Sequence, residues 1–262
     1  MKSHILPKAL TRPEFKGGMF FQAGEGEKPQ KRRTSWYDQR ICTAEGEKMF
    51  ADLDDFAIKE LRRKRLVWSG FGPANRIEPD FLLEKTKETS IPGRGVRIIN
   101  FSNTRALDRW CASLLWRAAV SRLPEMSQIS VSVHQIDFLA SYVLGRSDEN
   151  PFPVTFTQLN SRGPIHNQTP TAETVCPPNS TGLAPWRIFR FYLDGLLIHF
   201  QRDESVSERQ GKLILGSDDE TAVICVPFVE SFQAERLIGL IEETHRQFPN
   251  AIPRPKPKPK DR

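Results

Sequence analysis

Long apolar runs are missing from this chain. No stretch approaches the roughly 20 consecutive apolar residues that a membrane helix needs, and Met1 to Leu10 lacks the uninterrupted apolar core of a secretion signal. The reading that follows is a protein with a cytoplasmic address and no membrane partner. Close cysteine pairs are missing too. Cys42, Cys111, Cys176 and Cys225 stand far apart, which excludes the paired spacing of zinc knuckles and redox motifs. Cys111 lies in a helical apolar pattern and Cys225 in a strand-like run, where a cysteine reads as a small buried hydrophobe. Around His166, His199 and the run Asp218-Asp219-Glu220 there is no nucleophile elbow, phosphate loop or metal-ligand spacing. An enzyme centred on the second half of the chain therefore has no motif to stand on.

What is present is enough apolar material for a core. Hydrophobic residues make up 38% of the 262, with 17 phenylalanines among them, so burial can offset the entropy of ordering the chain. Charge is distributed unevenly. Residues 1–99 carry 20 Lys/Arg against 14 Asp/Glu and residues 250–262 carry five against one, so a net charge of +6 leaves the middle at −4. Positive potential at both ends favours an anionic polymer such as nucleic acid.

The first 35 residues, rich in Gly, Lys, Pro and Glu, read as extended or looped after a short start. From Glu47 to about Trp68, Met49, Phe50, Leu53, Phe56, Ala57 and Leu61 recur at helical spacing, with Asp52, Asp54, Asp55 and Lys59 on the expected wet side. The far end, Arg62-Arg63-Lys64-Arg65, suits the negative end of the helix dipole and equally suits phosphate. A strand is expected at Val96–Phe101 and a central helix over about Thr104–Arg122, whose stripe is Leu107, Trp110, Cys111, Leu114, Leu115 and Ala118. A third helix follows over His134–Leu144, with His134 as a polar residue near its start.

The period then shifts from near 3.6 to near 2. Strands are expected at Val154–Leu159, Lys212–Leu215 and Thr221–Phe228. Arg187–Leu193 and Leu196–Gln201 flank Asp194-Gly195, a hairpin dipeptide. A Pro-rich loop is expected through Cys176 to Pro185, a last helix at Glu230–Phe248, and a polyproline-like basic tail from Pro253 to Lys260. The fold class is α+β, with a helical N-terminal half, a C-terminal antiparallel sheet and a closing helix. The expected divisions are 1–68, 69–249 and a disordered tail at 250–262.

Two stretches carry a family resemblance: Ser3-His4-Ile5-Leu6-Pro7-Lys8, and Tyr37 to Glu45 running into a helix over Phe50 to Leu61. Together they resemble the treble-clef finger of the HNH endonuclease superfamily, of the uncharacterised bacterial type, in which a His-Ile-x-Pro element precedes a Leu-Cys-x-x-Cys element. The resemblance implies a divalent cation, Mg²⁺ or Mn²⁺, beside a histidine that activates water against a phosphodiester. On that carry-over His4 is the catalytic base and Cys42 one zinc ligand. The chain departs from the pattern at three of the four zinc ligands: Glu45 stands where the second cysteine of the pair would, and the leading Cys-x-x-Cys has no counterpart before His4. Either packing replaces the zinc or the knuckle precedes Met1, and a structural zinc is not expected. Glu45, with Cys42, Glu47 and Asp38, could offer ligands to a metal, while acidic residues at a helix start also suit capping and the dipole.

Two functions follow. The first is an HNH-like metal-dependent endonuclease, or an impaired derivative, with Arg32, Arg33, Arg62, Arg63, Lys64 and Arg65 on the nucleic acid, DNA ahead of RNA. The resemblance would place it in defence against phages. The second is a non-catalytic nucleic-acid-binding or complex-forming scaffold whose C-terminal sheet half docks a protein partner.

Overall fold

A computed structural model describes residues 3–11, 20–23, 30–32, 35–83, 93–175, 185–202 and 211–247. The finger-like start is a short ladder: β1 (Ser3–His4) pairs antiparallel with β4 (Tyr37–Asp38), His4 opposite Tyr37. Between them β2 (Phe20–Ala23) and β3 (Gln30–Arg32) form a hairpin. The helix α1 (Ala44–Arg63) opens on Thr43, whose hydroxyl accepts the Gly46 amide, with Glu45 and Glu47 in the first turn where the dipole favours anions. It stops at Arg63 rather than near Trp68 because Arg65 turns left-handed at φ 54°. A single 3₁₀ turn, Trp68–Gly70, follows.

The helix α2 (Thr104–Val120) is capped by Asn103, and all six residues of its expected stripe are buried. It packs against α1 and against α3 (Val133–Val143), whose start is a capping box of Ser132 and Gln135. The last helix, α4 (Phe232–Gln247), buries Ala234 and Leu237.

One seven-stranded sheet runs between these helices. Its order is β5 (Phe81–Leu82), β6 (Gly95–Asn100), β12 (Glu220–Val226), β7 (Val154–Leu159), β11 (Leu196–Gln201), β10 (Trp186–Leu193) and β9 (Thr171–Val175). Strand alternation divides the core in two. Phe189, Phe191 and Leu193 on β10 and Leu196, Ile198 and Phe200 on β11 join α1, α2 and α3 in the larger cluster. Tyr192 and Leu197, paired with each other, point the opposite way into a smaller cluster with Trp68, Phe71, Phe228 and Leu237. Helices therefore cover both faces.

The α+β class stands, and its expected arrangement needs correction. The sheet is not a C-terminal antiparallel one: β5 and β6 come from the first 100 residues, and β12 runs parallel to β7. Strand β8 (His166–Gln168) pairs with β2, tying the finger-like start to the second half. Ile5, Leu6, Trp36 and Phe50 share a cluster with Trp110, Phe156 and Phe191, so one core spans residue 68. The strand expected at Lys212–Leu215 is a 3₁₀ turn at Gly211–Leu213, between positive-φ Gly211 and Gly216, with only Ile214 bridged to Thr155. Asp54 is not on a wet side, as its partners below establish. The tail at 250–262, Phe248 and Cys176 lie outside the described residues.

Candidate functional sites at the two ends of α1

The N-terminal end of α1 meets the finger-like ladder. Its polar centre is Arg117, a fully buried α2 residue at 1% side-chain exposure. Its guanidinium donates to both carboxylate oxygens of Asp54 at 2.9 and 3.2 Å, to the His4 carbonyl at 2.9 Å and to the Ser113 carbonyl and hydroxyl at 3.2 Å. It also lies 5.0 Å from the centre of the Phe50 ring. The Trp110 indole donates to the same Asp54 oxygen at 2.9 Å. One buried ion pair thus locks β1, α1 and α2 together.

His4 is half-buried, edge-on to Tyr37 with ring centres 6.1 Å apart, and its Nδ1 has no hydrogen-bond partner. Burial, helped by Lys8, holds its pKa below the ordinary histidine value, so the imidazole is neutral at pH 7. The Cys42 thiol donates to Glu47 at 3.5 Å; burial and that carboxylate raise its pKa, against thiolate formation. Cys42 and Glu45, the residues expected to hold a metal, have different surroundings. Glu45 is exposed and lines a groove with Lys48, Asp52 and Arg109, while Cys42 faces Glu47. Asp38 accepts from Ser121 at 3.1 Å and from the Arg40 amide at 3.0 Å, bonds that hold its pKa down. Among the described residues no group of three or more His, Cys, Asp or Glu converges as a metal would require.

The C-terminal end of α1 separates the basic run into different tasks. Arg63 is chelated by the buried Glu60 at 2.6–2.9 Å. Arg65 donates to the Phe71 carbonyl at 2.9 Å, and the carbonyls of Lys64 and Arg65 accept from Arg97. These bonds are structural. Arg62 differs, because it lines an open cleft of about 530 Å³ together with Ser69, Asn75, Arg162, Ile165 and Asp194. Ala9 and Leu10 of the finger-like start form another wall. Arg32 belongs to β3, and Arg33 lies outside the described residues.

No family model, curated protein or solved structure matches this chain. Function is therefore argued from the cleft itself.

Arg62 Nε donates to Ser69 Oγ at 3.0 Å and Nη2 to the Ala9 carbonyl at 3.0 Å. Two bonds fix the guanidinium plane while three of its five N–H donors remain. Arg162 is held by the carbonyls of Ala74 at 3.2 Å and Gly72 at 2.9 Å. Asp194, at the tip of the β10–β11 hairpin, adopts φ 50° and accepts the Ser69 amide at 3.0 Å. Burial raises its pKa, and the Ser69 bonds and the charges of Arg62 and Arg162 oppose that rise. The hairpin tip is pressed onto Trp68, whose amide donates to the Asp194 carbonyl at 2.8 Å and whose indole donates to the Leu159 carbonyl at 2.9 Å. Arg62 and Arg162 both act on Asp194 electrostatically, and all three side chains line the cleft. Arg162 and Asp194 were not among the residues expected from sequence; the turn at Asp194-Gly195 was legible, its carboxylate's destination was not.

Proposed function

We propose that this chain binds nucleic acid without cutting it, with a phosphodiester seated between Arg62 and Arg162 and the finger-like start serving as a packed scaffold. The observation that carries this reading is that two arginines line one solvent-open cleft, Arg62 held by the Ala9 carbonyl and the Ser69 hydroxyl and Arg162 by the Ala74 and Gly72 carbonyls. A phosphodiester has one negative charge and oxygens suited to a planar fork of N–H donors. The scaffold role rests on the Arg117–Asp54 pair, which supplies by ion pairing the cross-link that a zinc would supply in a finger. Exposed Val229, Phe232 and Ile238, at and around the start of α4, favour a protein partner as well. A role in phage defence would act through this binding.

A second reading, a divalent-metal-dependent endonuclease with His4 as base, is favoured by one observation. A neutral imidazole with an unpartnered nitrogen is what a general base requires. Plasmid DNA and RNA incubated with the protein in Mg²⁺, Mn²⁺ or chelator separate the two. Salt-sensitive binding that weakens in Arg62→Gln, with no cutting by the protein or by His4→Ala, supports the binding reading. Metal-dependent cutting abolished by His4→Ala overturns it in favour of the nuclease.

A further inference from the structure

We infer that the Arg62–Arg162 cleft takes one unpaired nucleotide of a single-stranded nucleic acid, its phosphodiester on the two arginines and an N–H or O–H donor of its base or sugar on Asp194. This rests on the nucleic-acid reading above and adds strand selection to it.

A site for phosphate alone gains nothing from a carboxylate, which repels the anion. Here Asp194 lines the same cleft as both arginines. Its left-handed backbone is the one that a two-residue Asp-Gly hairpin turn adopts. Its side chain is fixed by the Ser69 amide, and Ser69 is in turn fixed by Arg62. A carboxylate has about four lone-pair positions, so acceptor capacity remains for a ligand donor. Cation and acceptor side by side match a nucleotide, which carries its anion and its donors a few ångströms apart.

Duplex nucleic acid does not meet this description. Its base donors facing the partner strand are already engaged, and a volume of about 530 Å³ is that of a small-ligand site rather than a double-helical groove. An unpaired nucleotide offers those donors freely and can be splayed into a cleft. Leu10 and Ile165 supply apolar wall on which a base face rests, Ile165 being 43% exposed before any ligand arrives.

The test is fluorescence anisotropy of the full chain with a short labelled oligonucleotide as single strand, as duplex, and as single strand with abasic sites. Wild-type protein is compared with Asp194→Asn and Arg62→Gln. Asparagine tolerates the left-handed backbone and keeps an acceptor for the Ser69 amide, so the variant folds, as circular dichroism would verify. The expected result is about a tenfold preference for the single strand over the duplex, the size of one charge-assisted hydrogen bond. In Asp194→Asn that preference shrinks while affinity for the abasic strand rises, because the cleft gains net positive charge. Equal binding of single strand and duplex, or a preference unchanged in Asp194→Asn, overturns this inference and leaves the binding reading intact. No salt-sensitive binding to any of the three overturns both.

Discussion

The two ends of α1 use the same residue types to opposite effect. On the side toward the N-terminal end, Arg117, Asp54 and Trp110 satisfy one another around a fully buried guanidinium, and the geometry is closed. At the C-terminal end Arg62, Ser69 and Asp194 are also bonded to each other, yet they line an open cleft with donors and acceptors to spare. Resemblance directs attention to the closed end. Geometry places the unspent binding capacity at the open one. A motif-derived site and the site that geometry favours need not coincide, since function resides in side-chain arrangement rather than in architecture.

If the closed end is a scaffold, breaking it should cost stability first. Asp54→Ala leaves Arg117 buried without its carboxylate, and a loss of about 3 kcal/mol in urea unfolding is expected. The double variant Asp54→Leu/Arg117→Met, which removes both charges, should recover most of that loss. A single variant as stable as wild type would remove the case for the ion pair as the cross-link between β1, α1 and α2. The open end is tested at Gly195, where φ is 85° and an added Cβ would stand 2.3 Å from the Trp68 indole nitrogen. Gly195→Ala should cost about 2 kcal/mol through overpacking and left-handed strain, and it should weaken oligonucleotide binding because the hairpin tip carries Asp194.

Much of this contrast was readable at one end only. Asp54 stands four residues after Phe50, three before Ala57 and seven before Leu61, which is the buried face of α1, and Arg117 stands seven after Trp110 on the buried face of α2. A charge at a core position on each of two neighbouring helices is the sequence signal of a buried pair; counting Asp54 with its acidic neighbours hid it. The stripe on α2, the Asp194-Gly195 hairpin and the helix α3 were legible because local spacing and turn chemistry decide them. The cleft was not legible. Arg62, Arg162 and Asp194 come from a helix end, a loop and a hairpin tip that only the folded sheet brings together. Strand β8 was missed for a related reason: His166, Asn167 and Gln168 are all buried yet polar, satisfied by Gln233 and by the Thr11 carbonyl instead of by apolar packing.

That polar strand also makes the fold sensitive to acid. His166 stacks on Tyr192 with ring centres 4.4 Å apart, donates through Nδ1 to the Pro164 carbonyl at 2.7 Å and accepts from Gln233 at 2.8 Å. Burial lowers its pKa to about 4, below the unfolded value of about 6.5. The unfolded chain therefore binds the extra proton first, so the stabilisation is complete above about pH 6.5 and is lost as pH falls toward 4. His199, lowered to about 3 by burial and by Arg190, acts in the same direction. Each should cost about 1 kcal/mol between pH 7 and 5.5. Thermal unfolding of wild type against His166→Gln tests this, with a shallower acid loss expected in the variant. Because Gly163 and Ile165 of the preceding loop line the cleft, oligonucleotide binding should decline over the same range.

The smallest expected effect discriminates most finely between the members of the basic run. Arg62 and Arg63 are adjacent in sequence and equal in charge, so a diffuse electrostatic patch would treat them alike. In the fold Arg63 is chelated by Glu60 and Arg62 faces the cleft. Each phosphate contact on single-stranded nucleic acid contributes about 0.7 to the slope of log affinity against log salt concentration. Arg62→Gln should therefore reduce that slope by about 0.7 and weaken binding several-fold, whereas Arg63→Gln should leave the slope nearly unchanged because its charge is already matched by a carboxylate. Equal effects from the two substitutions would mean that binding follows net charge along the helix end, and that the cleft is not where the phosphate sits.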